Sequence, residues 1–86
     1  ELPDEIGELS KLKFLKVNDN NLTALPQTIM KLQNLVELDV SNNAGLLKLP
    51  QAINLLGNLE TLIVDETTVF PIPFSPANPR LEIIYK

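Results

Sequence analysis

Apolar residues recur along this chain in one frame, which is complete between Leu12 and Pro26. In one-letter code that stretch reads L-x-x-L-x-V-x-x-N-x-L-x-x-L-P. The frame returns between Leu35 and Pro50 and, with substitutions, between Leu59 and Pro73. The three copies start at positions 12, 35 and 59, so they are 23 and 24 residues apart. This period is typical of a repeat unit made of one strand and one short helix.

The middle of each copy predicts a short β-strand. In the first copy, Leu12, Leu15 and Val17 are predicted to point into the core. Phe14 and Lys16 then point to the opposite face, because successive side chains alternate between the two faces of a strand. Each copy therefore adds one set of outward positions to a continuous face.

The turn after each strand is predicted to be held by an amide side chain. Asn20 and Asn43 occupy this position, where one amide supplies both a donor and an acceptor to the turn backbone. The second turn contains one extra residue, which Gly45 is expected to absorb because glycine tolerates a positive φ. In the third copy Thr67 replaces the asparagine, so a less regular turn is expected there.

The segments between the strands predict short helices or 3₁₀ turns. Each follows a Leu-Pro pair, and proline is favoured in a first helical turn. Residues 70–79 contain four prolines, which suit an extended path and exclude a helix. In this region Val69 and Ile72 replace the framed leucines. Leu81 and Ile84 are expected to point inward from a fourth strand that caps the repeats, which puts Lys86 in line with Val17 and Val40.

This frame resembles that of leucine-rich-repeat proteins, in particular the intracellular kind with repeats of roughly 23 residues that read L-P-x-x-I-x-x-L-x-x-L-x-x-L-x-L-x-x-N-x-L. The resemblance covers nearly the whole chain. It implies an α/β solenoid, a right-handed superhelix with parallel strands on a concave face and short helices or 3₁₀ turns on a convex face. We expect one domain, as a segment of a longer protein. Its predicted parts are a partial repeat (1–11), two full repeats (12–34 and 35–58), a degenerate repeat (59–80) and a terminal strand or cap (81–86).

Charge and composition narrow the classes of partner. The formal net charge is −4 and the pI is near 4.6, so a polyanion such as nucleic acid would be repelled. No apolar run approaches the roughly 18 residues of a membrane span. The chain has no cysteine, which favours a reducing compartment and a cytoplasmic location.

Catalysis is not predicted, because the sequence has no histidine, no cysteine and no glycine-rich phosphate loop. No cofactor and no catalytic residue is expected. Four carboxylates near the concave side suggest a calcium ion at first sight, but they lack the spacing of a calcium loop. A solvated acidic face is the preferred interpretation. These carboxylates are Glu37, Asp39, Asp65 and Glu66.

The outward positions of the strands are the predicted binding surface. Apolar side chains on this face are candidates for a partner-binding patch, with coverage by further repeats or a terminal cap as the alternative. Lys16 and Asp39 are expected to form a cross-strand ion pair. One predicted row contains Phe14, Glu37, Thr61 and Ile83; the next contains Lys16, Asp39, Ile63 and Tyr85; and a third contains Asn18, Ser41 and Asp65.

The predicted function is a non-catalytic module that binds another protein through the concave face. The resemblance implies a role as a signalling scaffold, an adaptor or an effector recognition segment. Two alternatives stay open: a substrate-recognition segment of a larger enzyme such as a ubiquitin ligase or kinase, and a structural component of a large assembly. The exposed edge strands also offer a route to self-association.

Overall fold

The computed structural model describes residues 3–18, 21–43 and 47–86. Short 3₁₀ helices alternate with short strands as far as the third strand, and the fourth strand follows an irregular segment. This order agrees with the predicted unit of one strand and one short helix. The described elements are η1 (Asp4–Glu8), β1 (Phe14–Lys16), η2 (Gln27–Lys31), β2 (Glu37–Asp39), η3 (Gln51–Leu55), β3 (Thr61–Val64) and β4 (Glu82–Tyr85).

Each 3₁₀ helix begins directly after a proline. The backbones of Pro3, Pro26 and Pro50 are extended, so each proline ends the preceding extended segment and positions the first helical turn. In η2 the Ile29 N–H donates to the Pro26 carbonyl at 3.1 Å, and the same three-residue spacing recurs in η1 and η3. Each 3₁₀ helix has five residues, which is slightly longer than most 3₁₀ runs.

The four strands form one parallel sheet in the order β1-β2-β3-β4. Leu15, Leu38 and Leu62 are aligned across β1, β2 and β3, and their side chains are buried. We call this set, together with Ile83 of β4, the core column. The leucines and isoleucines of the frame fill the space between the sheet and the 3₁₀ helices, as the periodicity predicts.

The register of β4 differs from the prediction by one residue. Ile83 was expected to point outward and Ile84 inward, but Ile83 pairs with Leu62 in the core column and Ile84 pairs with Ile63 on the opposite face. The same three-residue turn precedes each strand, with the N–H of Leu12, Leu35, Leu59 and Leu81 as donor. Before β4 the donor, Leu81, lies one residue before the aligned position Glu82, whereas in the other repeats it lies two residues before it. Ile83 is accordingly half-buried and packs against the core.

Tyr85 was also expected on the outward face, and this is corrected too. It pairs with Val64, whose side chain points into the core. Tyr85 is nevertheless exposed, because β4 is an edge strand of the sheet that the structure describes. Lys86, expected in line with Val17 and Val40, follows one position later and is exposed.

The third turn is held by Thr68, whereas the sequence frame points to Thr67. Thr68 is buried and its Oγ1 accepts a hydrogen bond from the Asp65 N–H at 3.0 Å, while Thr67 is exposed. Asn20 and Gly45, to which turn functions were also assigned, lie outside the described residues.

The alignment of the chain also differs from the prediction just after the third turn. A β-bridge joins Lys48 to Val69, so Phe70 lies beside Leu49, in the position that Ile72 was expected to fill. Phe70 packs against the core and its ring lies 4.8 Å from that of Phe74, whereas Ile72 is 91% exposed. The bulky aromatic ring takes the core position two residues early.

The proline-rich segment contains no helix, as predicted, and it is fastened to η3 by two amide side chains. Gln51 Nε2 donates to the Ile72 carbonyl at 2.7 Å, and Asn54 Nδ2 donates to the Pro73 carbonyl at 3.1 Å. Asn54 Oδ1 also accepts from the Ser75 N–H at 3.0 Å. These bonds replace the backbone hydrogen bonds that a helix would have made.

Gly7 lies where η1 meets η2, and a methyl group there has no room. A Cβ on this residue would lie 2.7 Å from the carbonyl oxygen of Thr28 and 2.9 Å from its Cβ. We therefore expect Gly7→Ala to destabilise the chain by about 1–3 kcal/mol, the usual cost of overpacking. Urea unfolding followed by circular dichroism measures this change.

Gly57→Ala is the matched control, because nothing lies within 4 Å of a Cβ built at Gly57. It is expected to leave stability unchanged or to raise it by less than about 1 kcal/mol, through the lower entropy of the unfolded chain. Equal losses of stability in the two variants would contradict the steric argument.

Candidate protein-binding face

The side of the sheet that faces away from the core carries three rows of side chains, which together we call the open sheet face. Their alignment follows from the parallel register, because every second residue of each strand points to this side. The third row lines a surface concavity together with Asn42, just beyond the ends of the strands. The first row is Phe14, Glu37, Thr61 and Glu82; the second is Lys16, Asp39, Ile63 and Ile84; and the third is Asn18, Ser41, Asp65 and Lys86.

The first row combines an aromatic ring with two carboxylates. Phe14 lies on edge strand β1 and is 60% exposed. Glu37 is half-buried and Glu82 is exposed, and neither carboxylate forms a hydrogen bond or ion pair with the described part of the chain. Phe14, Glu37 and Thr61 lie where the sequence places them, and Glu82 takes the place predicted for Ile83.

The second row is buried in its centre and exposed at its ends. Asp39 and Ile63 are buried, whereas Lys16 on β1 is exposed and Ile84 on β4 is 43% exposed. Ile63 lies on the predicted face, but the neighbouring side chains cover most of it, so it offers little accessible surface to a partner. Ile84, which was expected in the core, is the accessible apolar group of this row.

Asp39 is anchored by the residue two positions later. Its Oδ1 accepts hydrogen bonds from the Ser41 N–H at 3.0 Å and from the Ser41 Oγ–H at 2.6 Å. Its Oδ2 lies 3.8 Å from the Nζ of Lys86. The ion pair predicted between Lys16 and Asp39 is therefore replaced by one with Lys86, whose long side chain reaches back across β3.

Asp65, predicted as a binding residue, makes hydrogen bonds to the turn of the preceding repeat. Its Oδ1 accepts from the Asn42 N–H at 2.7 Å and its Oδ2 from the Asn43 N–H at 3.2 Å. Asn42 has a φ of 59°, a left-handed conformation that non-glycine residues seldom adopt. The carboxylate thus holds a turn in a conformation that it would otherwise resist.

Asn43 has the structural function predicted for it. Its Nδ2 donates to the Val40 carbonyl at 2.7 Å, and its Oδ1 accepts from the Leu22 N–H of the preceding repeat at 3.1 Å. A further contact of Nδ2 with the Val17 carbonyl, at 3.4 Å, ties the same side chain to the end of β1. One buried amide therefore connects two successive layers below the open sheet face.

The face contains five residues that the sequence analysis left out of the binding set. Asn18 and Ser41 were assigned to the third row but not to the site, and Lys86 was aligned with core valines. Glu82 and Ile84 were missed through the register error in β4. The alternation of Leu81, Ile83 and Tyr85 with Glu82 and Ile84 is the sequence signal that identifies the correct register.

The described residues include no group of three or more metal-ligating side chains that could hold an ion. Within the same ranges, none of the helices has the length and apolar character needed to cross a membrane.

A parallel sheet with one short 3₁₀ helix between strands, built on an L-x-x-L-x-V-x-x-N frame, is the architecture of a repeat protein. The family described as "Leucine-rich repeat region" matches residues 1–76. The chain belongs to the leucine-rich-repeat family, whose domains generally mediate protein–protein interaction.

The chain is also similar to short segments of much longer curated proteins. It is 38% identical over 73 residues to "Leucine-rich repeat serine/threonine-protein kinase 1" of Mus musculus, covering 85% of this chain and 4% of that protein. It is 38% identical over 77 residues to "TMV resistance protein N" of Nicotiana glutinosa, covering 87% of this chain and 7% of that protein. It is 37% identical over 63 residues to "Osteomodulin" of Bos taurus, covering 73% of this chain and 14% of that protein.

Proposed function

We propose that this chain is a non-catalytic protein-binding module that holds a partner on the open sheet face, as part of a repeat solenoid in the cytoplasm. Its role is that of a scaffold, an adaptor or a recognition segment in signalling. The observation that carries the proposal is the exposure of Phe14 and Ile84 on a face whose other exposed side chains are polar. Aromatic and apolar groups in such a setting are typical of binding hot spots.

The backbone below the face supports this function because it is held rigidly. Asn43 and Asp65 each connect one repeat to its neighbour through hydrogen bonds to backbone groups. A face whose strands and turns are fixed loses little conformational entropy when it binds, which favours affinity. Loops placed over such a sheet would not have this advantage.

Capture of proteins from a cell lysate tests the proposal. The bait is the 86-residue chain, compared with a variant that carries Phe14→Asp and Ile84→Asp. We expect the native chain to retain a partner and the variant to lose it, because buried contact with a hot spot does not tolerate a new charge. Circular dichroism establishes that both baits are folded.

Leu55→Asp combined with Ile72→Asp is the matched control. These side chains are 55% and 91% exposed and lie outside the rows of the open sheet face, so the control introduces the same charge at exposed apolar positions elsewhere. Its partner should remain bound. If the control loses the partner while the first variant keeps it, the contact lies on the helix side and the open sheet face is not the site.

A second candidate is a recognition segment within a larger enzyme, such as a kinase or ubiquitin ligase. The similarity to a segment of a mouse leucine-rich-repeat kinase favours it, since this chain spans only 4% of that protein. Sequencing the complete coding region distinguishes the two candidates. A catalytic domain encoded beside the repeats supports the enzyme, and a coding region with repeats alone excludes it.

A further inference from the structure

Asp39 differs from the other carboxylates of the open sheet face in being buried with one oxygen that lacks a hydrogen bond. Its side chain is only 5% exposed. Both hydrogen bonds from Ser41 go to Oδ1. Oδ2 faces the Lys86 ammonium at 3.8 Å, which is too long for a hydrogen bond, and it accepts none from any other described residue. None of the buried side-chain oxygens and nitrogens of the described residues lacks a hydrogen bond, so Oδ2 reaches the surface, where it is free to accept from an incoming donor.

The groups around Asp39 define which donor fits. Ile63 lies beside it in the second row and Ile84 one strand further, so an apolar wall leads away from the carboxylate. Glu37 and Glu82 in the first row have no partner in the described chain. A cationic head on an aliphatic stem satisfies all three features, because its stem packs on apolar surface while its head reaches carboxylates.

We propose that the open sheet face binds an extended, basic segment of a partner protein, with Asp39 as the anchor for an arginine or lysine side chain. This inference rests on the proposed function and gives the chemistry of the partner. The net charge of −4 attracts such a segment and repels acidic ones. A carboxylate has about four acceptor positions, so the two that Ser41 fills leave Oδ2 available.

Lys86 occupies the place of that incoming cation in the free chain. Its ammonium is near Asp39 without a close contact, and its side chain is 57% exposed. A loosely held internal cation neutralises the buried carboxylate until a better donor arrives. Arginine is the stronger competitor, since its planar fork donates two parallel hydrogen bonds to a carboxylate.

The test uses a fluorescently labelled peptide of alternating leucine and arginine, acetylated and amidated at its ends. About eight residues are enough to cross the face, because an extended chain rises about 3.3 Å per residue. Fluorescence anisotropy with the full chain gives the dissociation constant. We expect binding by the native chain, and a loss of about tenfold or more when citrulline replaces arginine or when Asp39→Asn removes the anchor charge.

The variants separate a specific anchor from general attraction. Asp39→Asn keeps an oxygen for the two Ser41 bonds, so the fold should persist, and circular dichroism checks this. Glu66→Gln removes the same charge from an exposed carboxylate outside the three rows and should change affinity less than about twofold, as expected of a screened surface charge. Equal losses from Asp39→Asn and Glu66→Gln, or undiminished binding of the citrulline peptide, would overturn the proposal.

Lys86→Met adds a readout in the opposite direction, because removal of the internal competitor should tighten peptide binding severalfold. Lys31→Met removes a lysine from η2 on the helix side and serves as its control, with no more than the small change expected of an exposed charge.

Absence of binding to the native chain at millimolar concentrations also rejects the proposal. If a partner captured through Phe14 and Ile84 binds Asp39→Asn with full affinity, protein binding stands and the basic-segment inference fails.

Discussion

Leu38→Ala is expected to lower the free energy of unfolding by about 2–5 kcal/mol, the range for truncating a fully buried leucine. Leu38 lies at the centre of β2 with no exposed surface. Its neighbours in the core column are Leu15 on one side and Leu62 on the other, so the vacated volume is enclosed by two strands. Parallel strands held by hydrogen bonds on both sides cannot collapse into the cavity, which places the expected loss in the upper part of this range.

Urea denaturation at 25 °C measures the change, with the slope of the transition as a check that the unfolded states are alike. Leu55→Ala is the control, because Leu55 is 55% exposed and should cost less than about 1 kcal/mol. If Leu38→Ala proves too unstable to fold, Leu38→Met keeps the volume and should lose less than about 1.5 kcal/mol. Losses of equal size at positions 38 and 55 would contradict the assigned core.

The regular part of this fold could be predicted because the apolar pattern within each repeat determines the register of its strand. In the first two copies, a leucine or valine at every framed position leaves one face of the strand apolar, and a slip by one residue would expose it. Leu35, Leu38 and Val40 are accordingly buried as expected. The same argument placed Phe14 and Glu37 correctly on the open sheet face, since outward positions follow from inward ones.

The register of β4 was missed because the L-x-x-L spacing of the frame was carried over to Leu81 and Ile84. Alternation along the strand favours the observed register, since Leu81, Ile83 and Tyr85 share one side and Glu82 and Ile84 share the other. In the structure the side chain of Asn78, in the turn before β4, donates to the Leu59 carbonyl at 2.9 Å and accepts from the Arg80 N–H at 3.0 Å. The third turn depends on a contact that the sequence does not show. Thr67 and Thr68 offer the same hydroxyl, and only the position of the Asp65 N–H selects Thr68.

Charged side chains on the face were the least predictable, since their partners depend on reach across strands. The strand register places Lys16 directly beside Asp39 on the neighbouring strand. The structure nevertheless pairs Asp39 with Lys86, which lies two strands away. Asp65 shows the converse case, because a residue that looks like a free surface carboxylate accepts hydrogen bonds from two backbone amides. A long flexible lysine or a short aspartate near a turn has several partners within range, and periodicity does not rank them.

Asn43→Leu is expected to destabilise the chain by about 2–5 kcal/mol, through two effects that act together. Loss of the amide leaves the Leu22 N–H and the Val40 carbonyl without the hydrogen bonds that Asn43 supplies. Each buried backbone group left unsatisfied costs about 1–3 kcal/mol. Because these groups belong to successive repeats, the variant should also weaken the contact between layers, and urea denaturation should show a lower midpoint.

Asn43→Asp separates the two effects. An aspartate keeps an acceptor for the Leu22 N–H but brings a negative charge next to the Val40 carbonyl oxygen, which lies 2.7 Å from the native Nδ2. Asn43→Asp therefore removes only the amide donor. A loss of stability close to that of Asn43→Leu would show that the hydrogen bonds from Nδ2 to carbonyl oxygens supply most of the stabilisation by Asn43. Asn21→Ala changes an exposed asparagine and should cost less than about 0.5 kcal/mol. If Asn43→Leu were as mild as that control, the turn would be held by its backbone and by Asp65, and the amide would not be what joins the repeats.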